Sequence, residues 1–190
     1  MLKIRNSILV LILLFITACA ERNPNNANLK GNKFPDSTVL AFIKWYHKNE
    51  NKIQKNNLIK GGLKDTTTFY SIDFTNTEKY LTELSKSNCV SEKFISDFRN
   101  FFKQSDMYLK ENPQLDGPVN GFESDLIMKS QDYMEVWNYL DRMKTLKTSI
   151  QGNKAIIKVS FGKYYRPSYN LTKHSNYWLI DSIYNVYSDN

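Results

Sequence analysis

The sequence predicts an α+β domain in which N-terminal helices pack on a curved antiparallel sheet supplied mainly by the C-terminal third. Apolar residues recur at intervals of three and four from Val39 to Leu109, which is the spacing of helix faces. Beyond Leu146 the period shortens to two, as in half-buried strands. Helices first and strands afterwards segregate into two layers instead of alternating as βαβ units.

The chain opens with Lys3 and Arg5, followed by an unbroken apolar run over residues 8–16. Spanning a bilayer takes about 20 apolar residues, so this run is too short for a permanent span and has the length of a signal-peptide core. Ile16-Thr17-Ala18-Cys19 follows it. Residues 20–35 are polar and Asn-rich, broken by Gly and Pro, and read as a flexible tether with a reach of about 20–25 Å. The expected organisation is a signal peptide over 1–18, Cys19 and its tether over 19–35, and one globular domain over 36–190.

Within that domain, Asp36 or Ser37 is positioned to cap a helix running to about Lys55. Val39, Phe42, Ile43 and Tyr46 share its inner face; Leu40 and Trp45 widen the stripe, and Lys44, Lys48 and Asn51 face water. Residues 56–64 form a polar connection containing Gly61-Gly62, and the β-branched and aromatic residues 66–74 read as a short strand or extended lead-in. Thr75-x-x-Glu78 has the form of a capping box, opening a helix with Tyr80, Leu81 and Leu84 inward. Ser91 caps the next helix, along which Phe94, Ile95, Phe98, Phe101, Phe102 and Leu109 form a core-packing stripe, and Asn112-Pro113 ends it. Residues 133–139, 146–150 and 155–161 read as strands, with a turn over 151–154. Residues 169–173 and 176–187 close the chain as a hairpin across His174-Ser175.

Composition narrows the function classes. The chain carries a net charge of +7, and the 26 Lys and Arg read as scattered, not gathered into the stripe that nucleic-acid binding uses. Nucleic acid is therefore not an expected partner, while contact with anionic lipid or polysaccharide is allowed but not indicated. With Cys19 assigned to the N-terminal signal, Cys89 stands alone, so neither an internal disulfide nor a two-Cys metal site is expected. Metal-protease, P-loop and dinucleotide-binding patterns are absent. His47 and His174 have no carboxylate at a spacing that would orient either one. No cofactor and no metal are expected.

Ile16-Thr17-Ala18-Cys19 resembles the lipobox of bacterial lipoproteins. That resemblance implies diacylglycerol on the Cys19 sulfur, cleavage before Cys19 and acylation of the new amine, which together anchor a chain stably. Ala20, where enteric lipoproteins retained at the inner membrane carry Asp, implies the outer membrane, with the domain in the periplasm or at the cell surface. Phe42-Ile43-Lys44-Trp45-Tyr46, Asp125 with Gln131-Asp132, and Trp178-x-Ile180-Asp181-Ser182-Ile183 are similar to segments of the bacterial envelope lipoproteins of the domain of unknown function 3828 family. The resemblance implies a nuclear-transport-factor-two-like (cystatin-like) cone; the family has no agreed activity. A Tyr-rich insertion before the last hairpin departs from its pattern.

Two groups of residues stand out as candidate sites. Tyr164, Tyr165, Arg166 and Tyr169, in an apparent loop, form an amphipathic surface of the kind that protein partners and sugars use. Asp125, Gln131 and Asp132 follow the most acidic loop; they serve either as backbone-capping groups or as polar ligand contacts. The leading expectation is a lipid-anchored, non-enzymatic binding domain for an envelope protein or a small ligand. The alternatives are a small hydrolase or isomerase using Asp and Tyr in the cone, an immunity or inhibitor protein against an envelope-acting toxin, and a purely structural envelope protein.

Overall fold

The computed structural model describes residues 31–62, 67–163 and 165–185. The segment read as a signal peptide, Cys19 and Tyr164 lie outside the described residues. Three helices, α1 (Pro35–Gln54), α2 (Phe74–Ser85) and α3 (Glu92–Glu111), precede a four-stranded sheet. Its strands are β3 (Lys144–Gln151), β4 (Lys154–Ser160), β5 (Pro167–His174) and β6 (Tyr177–Asn185), antiparallel neighbours in chain order. A two-stranded ribbon, β1 (Ile59–Lys60) and β2 (Ser71–Ile72), joins α1 to α2. The fold is α+β.

The core lies between the helices and one face of the sheet. Phe42, Phe94 and Phe102 are essentially buried, with Phe42 and Phe94 meeting edge to face at 6.2 Å between ring centroids. Opposite them the sheet presents Ala155, Ile157, Val159, Tyr169, Leu171 and Ile180, all buried. Alternation carries this pattern: Lys154, Ile156 and Lys158 point the other way along β4.

One edge of the sheet is closed. The β6 backbone pairs with Val90 through Ile180 and with Asn32 through Trp178, whose N–H donates to Asn32 at 3.0 Å. The polar segment read as a tether through Pro35 is therefore partly docked on the domain from Gly31, which is buried. At the same corner the Ser91 hydroxyl donates to Asp181 at 2.6 Å and accepts the Phe94 N–H at 3.2 Å, while Thr172 donates to the second Asp181 oxygen. One buried carboxylate thus ties the α3 cap to two strands. The opposite edge, β3, is exposed over nearly its whole length.

Four local readings are corrected. Helix α1 begins at Pro35 behind Phe34, and neither Asp36 nor Ser37 caps it; proline suits the first helical position because that N–H has no partner in the helix. Helix α2 is capped by Asp73, whose side chain accepts the Asn76 N–H, so Thr75 sits within the helix. Glu78 instead holds Arg99 of α3 through two hydrogen bonds at 2.6 and 2.8 Å. The extended stretch before α2 shrinks to Ser71–Ile72, where Asp106 accepts the Ile72 N–H. Residues 133–139 are not a strand: Tyr133–Arg142 is a 3₁₀ helix burying Val136 and Leu140.

Candidate functional site

The polar site of the domain is assembled around Asp125. Its Oδ1 accepts the backbone N–H groups of Ile127 at 2.9 Å and Met128 at 2.6 Å, the local bonding that lets Asp fold a turn on itself. The Lys129 N–H closes that turn on the Asp125 carbonyl, leaving Lys129 in the left-handed region at φ 52°. Leu126, Ile127 and Met128 enter the core, and Tyr165 pins the turn to the sheet by donating to the Met128 carbonyl at 2.7 Å. The second carboxylate oxygen thereby points toward α1.

There it accepts the Tyr46 hydroxyl at 2.6 Å and, more distantly, the Gln54 amide at 3.5 Å. Gln54 also donates to the Tyr133 hydroxyl at 2.6 Å. These groups border a cavity of about 260 Å³, walled on its other sides by Tyr80, Leu58 and Phe122. Tyr80 is buried and makes no hydrogen bond to any described residue. Burial is the first cause holding the Tyr46 phenol far above its ordinary range; Tyr80 and the Asp125 charge add to it. Burial, with the Asp125 charge, does the same at Tyr80. Tyr133 is raised too, by burial first and against the opposing Gln54 bond. All three phenols therefore stay protonated at neutral pH. They are donors, not bases.

Asp125, with its lone pairs taken by backbone and phenol donors, holds the wall in place. Glu50, one turn from Tyr46, is the other acidic group nearby. Burial raises its pKa, with His47 opposing and Asp125 reinforcing. Its Oε2 and the Trp137 indole nitrogen are both buried without a hydrogen-bond partner among the described residues. The sequence reading left His47 with no orienting carboxylate; Nδ1 in fact lies 3.9 Å from Glu50, and the ring packs on Trp137 at 4.4 Å. Glu50 does not line the cavity.

The sequence-chosen residues separate. Asp125 is central to the site. Gln131 is exposed and donates to the Glu123 carbonyl at 3.1 Å. Asp132 is exposed, and its carboxylate does not cap the 3₁₀ helix that follows it. In the tyrosine-rich segment, Arg166 is exposed, Tyr165 is half-buried, and Tyr169 is fully buried in β5. Tyr169 thus belongs to the core and not to a docking surface, because the strand extends back to Pro167 and register places it opposite Ile157 and Ile183. Tyr46, Gln54, Tyr80 and Tyr133 were not anticipated as site residues. Tyr46 and Tyr80 carried a helical-face signal that reads as core, and nothing local ties either one to Asp125.

Among the described residues no helix is long and apolar enough to cross a membrane, and no three His, Cys, Asp or Glu cluster as metal ligands. No protein-family model matches the chain, and neither a curated protein nor a solved structure matches it.

Proposed function

We propose that the chain is a lipid-anchored envelope protein whose domain binds a small, uncharged polar ligand in the Tyr46–Asp125 cleft without transforming it. The observation that carries the reading is the cavity itself, bordered by three protonated phenols around a carboxylate already occupied by protein donors. Phenols offer an apolar ring and a polar tip together, the combination that sugars and amide-bearing fragments use. A volume of about 260 Å³ admits a group of monosaccharide or dipeptide size. The anchor is the Cys19 lipid read from Ile16-Thr17-Ala18-Cys19, with the outer membrane as its compartment and the resemblance to domain of unknown function 3828 lipoproteins as its support.

Ligand-observed NMR on the full chain in detergent, against panels of monosaccharides, amino sugars and dipeptides, tests the cleft. A binder whose affinity falls about three- to tenfold in Tyr80→Phe, the loss of one hydrogen bond, supports it. No binder in any panel, or one indifferent to both Tyr80→Phe and Gln54→Ala, overturns it. Metabolic palmitate labelling abolished by Cys19→Ala tests the anchor separately.

A further inference from the structure

The sheet carries a charge asymmetry that the linear reading missed. From Arg142 to Ile180 there are eight Lys or Arg and no Asp or Glu, although the chain holds 19 acidic residues. The rest of the chain is close to charge-balanced. The basic residues are spaced along strands between apolar and neutral ones, so they do not form a linear run. Pleating gathers half of them. On the sheet face turned away from the helices, Lys144 stands opposite Ser160, Lys147 opposite Lys158, and Lys154 opposite Thr172.

Two features of this face call for an external counter-charge. Lys147 and Lys158 form a directly opposed like-charge pair, an arrangement that costs stability in isolation. None of Lys144, Lys147 and Lys158 forms an ion pair among the described residues; Lys154 alone of the four reaches a carboxylate, Asp181, at 3.5 Å. Amid these lysines Ile156 is 47 % exposed, and Leu146, at the β3 irregularity beside Lys147, is 48 % exposed. Lysines around apolar side chains suit a headgroup layer, where the ammonium groups meet phosphates and the apolar groups enter the acyl boundary. A soluble polyanion would use the charges but leave the isoleucine without a role.

We propose that the outer face of the β3–β4 hairpin, centred on Lys144, Lys147, Lys158 and Ile156, rests on an anionic phospholipid surface. The proposal rests in part on the lipid anchor above: with the chain docked from Gly31, a tether of residues 20–30 has a reach of about 17–20 Å and keeps the sheet within contact range of headgroups. It assigns an orientation, with the helical layer and the Asp125 cleft's α1 wall turned away from the sheet's lipid-facing side.

The test uses the full chain reconstituted in vesicles of phosphatidylcholine alone or mixed with phosphatidylglycerol. Surface amines are acetylated and read lysine by lysine by mass spectrometry. Labelling of Lys144, Lys147 and Lys158 is expected to fall about threefold or more on the anionic vesicles, and to recover at high salt. Lys48 and Lys103, exposed on the helices, should label equally on both. Lys147→Gln/Lys158→Gln, which relieves a repulsive pair and so preserves the fold, should abolish the contrast at Lys144. Equal labelling of the three lysines on both vesicle types overturns the proposal, as does protection by heparin or duplex DNA without protection by anionic vesicles. Flotation with phosphatidylcholine alone reports the anchor independently: a chain that floats only with anionic vesicles loses its lipid anchor but keeps this surface.

Discussion

The Tyr46 hydroxyl donates to Asp125 Oδ2 at 2.6 Å across 79 residues of sequence, fastening the middle of α1 to a turn that is otherwise held by its own backbone. Asp125 is a hub, since the same carboxylate supports two backbone N–H groups, whereas Tyr46 contributes one bond and a buried ring. Their substitutions should therefore differ in cost. Tyr46→Phe keeps the ring and loses one charge-assisted bond, about 1–3 kcal/mol. Asp125→Ala strands three donors and should cost more. Urea unfolding of both variants checks the order; equal costs would mean that the turn does not depend on Asp125.

Ser91 offers a sharper test because its hydroxyl serves two partners. At an ordinary helix N-cap, Asp replaces Ser with little change. Here Asp181 stands 2.6 Å from the Ser91 oxygen, so Ser91→Asp sets two carboxylates against each other in a buried corner. Ser91→Asp should be less stable than Ser91→Ala, which itself loses about 1 kcal/mol of capping. Thermal melts of the two variants decide it.

Glu50 gives the domain a pH signature. Burial raises its folded-state pKa above the unfolded value of about 4.3. A raised folded pKa contributes stability below the unfolded value and loses it as pH rises through the folded one. At neutral pH the ionised Glu50 is thus a liability, with Oε2 buried and without a hydrogen-bond partner among the described residues. Glu50→Gln should be more stable than the parent at pH 7, with the gap closing as pH falls toward about 4. A gap independent of pH would contradict the electrostatic cause.

Cys89 should be silent in the native state. Burial pushes its thiol up to about 11, and 4 % of its surface is exposed. Iodoacetamide at pH 8, read at Cys89 by peptide mapping, should modify it at the rate of global opening and rapidly in denaturant. Fast native labelling would place a local opening at the β6 edge, where its carbonyl accepts the Ile180 N–H.

Much of the architecture was legible because burial imposes a period. Phe42, Phe94 and Phe102 fell at helical spacing, and Ala155, Ile157 and Val159 alternated, so their inward faces could be read without a structure. The Ser91 cap and the stop after Glu111 followed from local bonding chemistry and are observed. Residues 133–139 were misread although their period was available. Tyr133, Val136, Trp137 and Leu140 recur at three and four, but aromatic β-propensity outweighed the spacing. Thr75-x-x-Glu78 failed for a different reason: Glu78 had a partner on another helix, Arg99, that no local pattern announces.

By itself, then, the sequence determined the α+β class and the inner faces of the helices and strands. Each of these depends on neighbours a few residues apart. Tertiary structure decided the rest. It brought Tyr46, Gln54 and Tyr133 to Asp125, sank Tyr169 into the core, and stacked Lys144, Lys147 and Lys158 on one face of adjacent strands. A hydrogen bond or a charge pair acts over a few ångströms of space, and the chain separations bridged here range from about ten residues to 79.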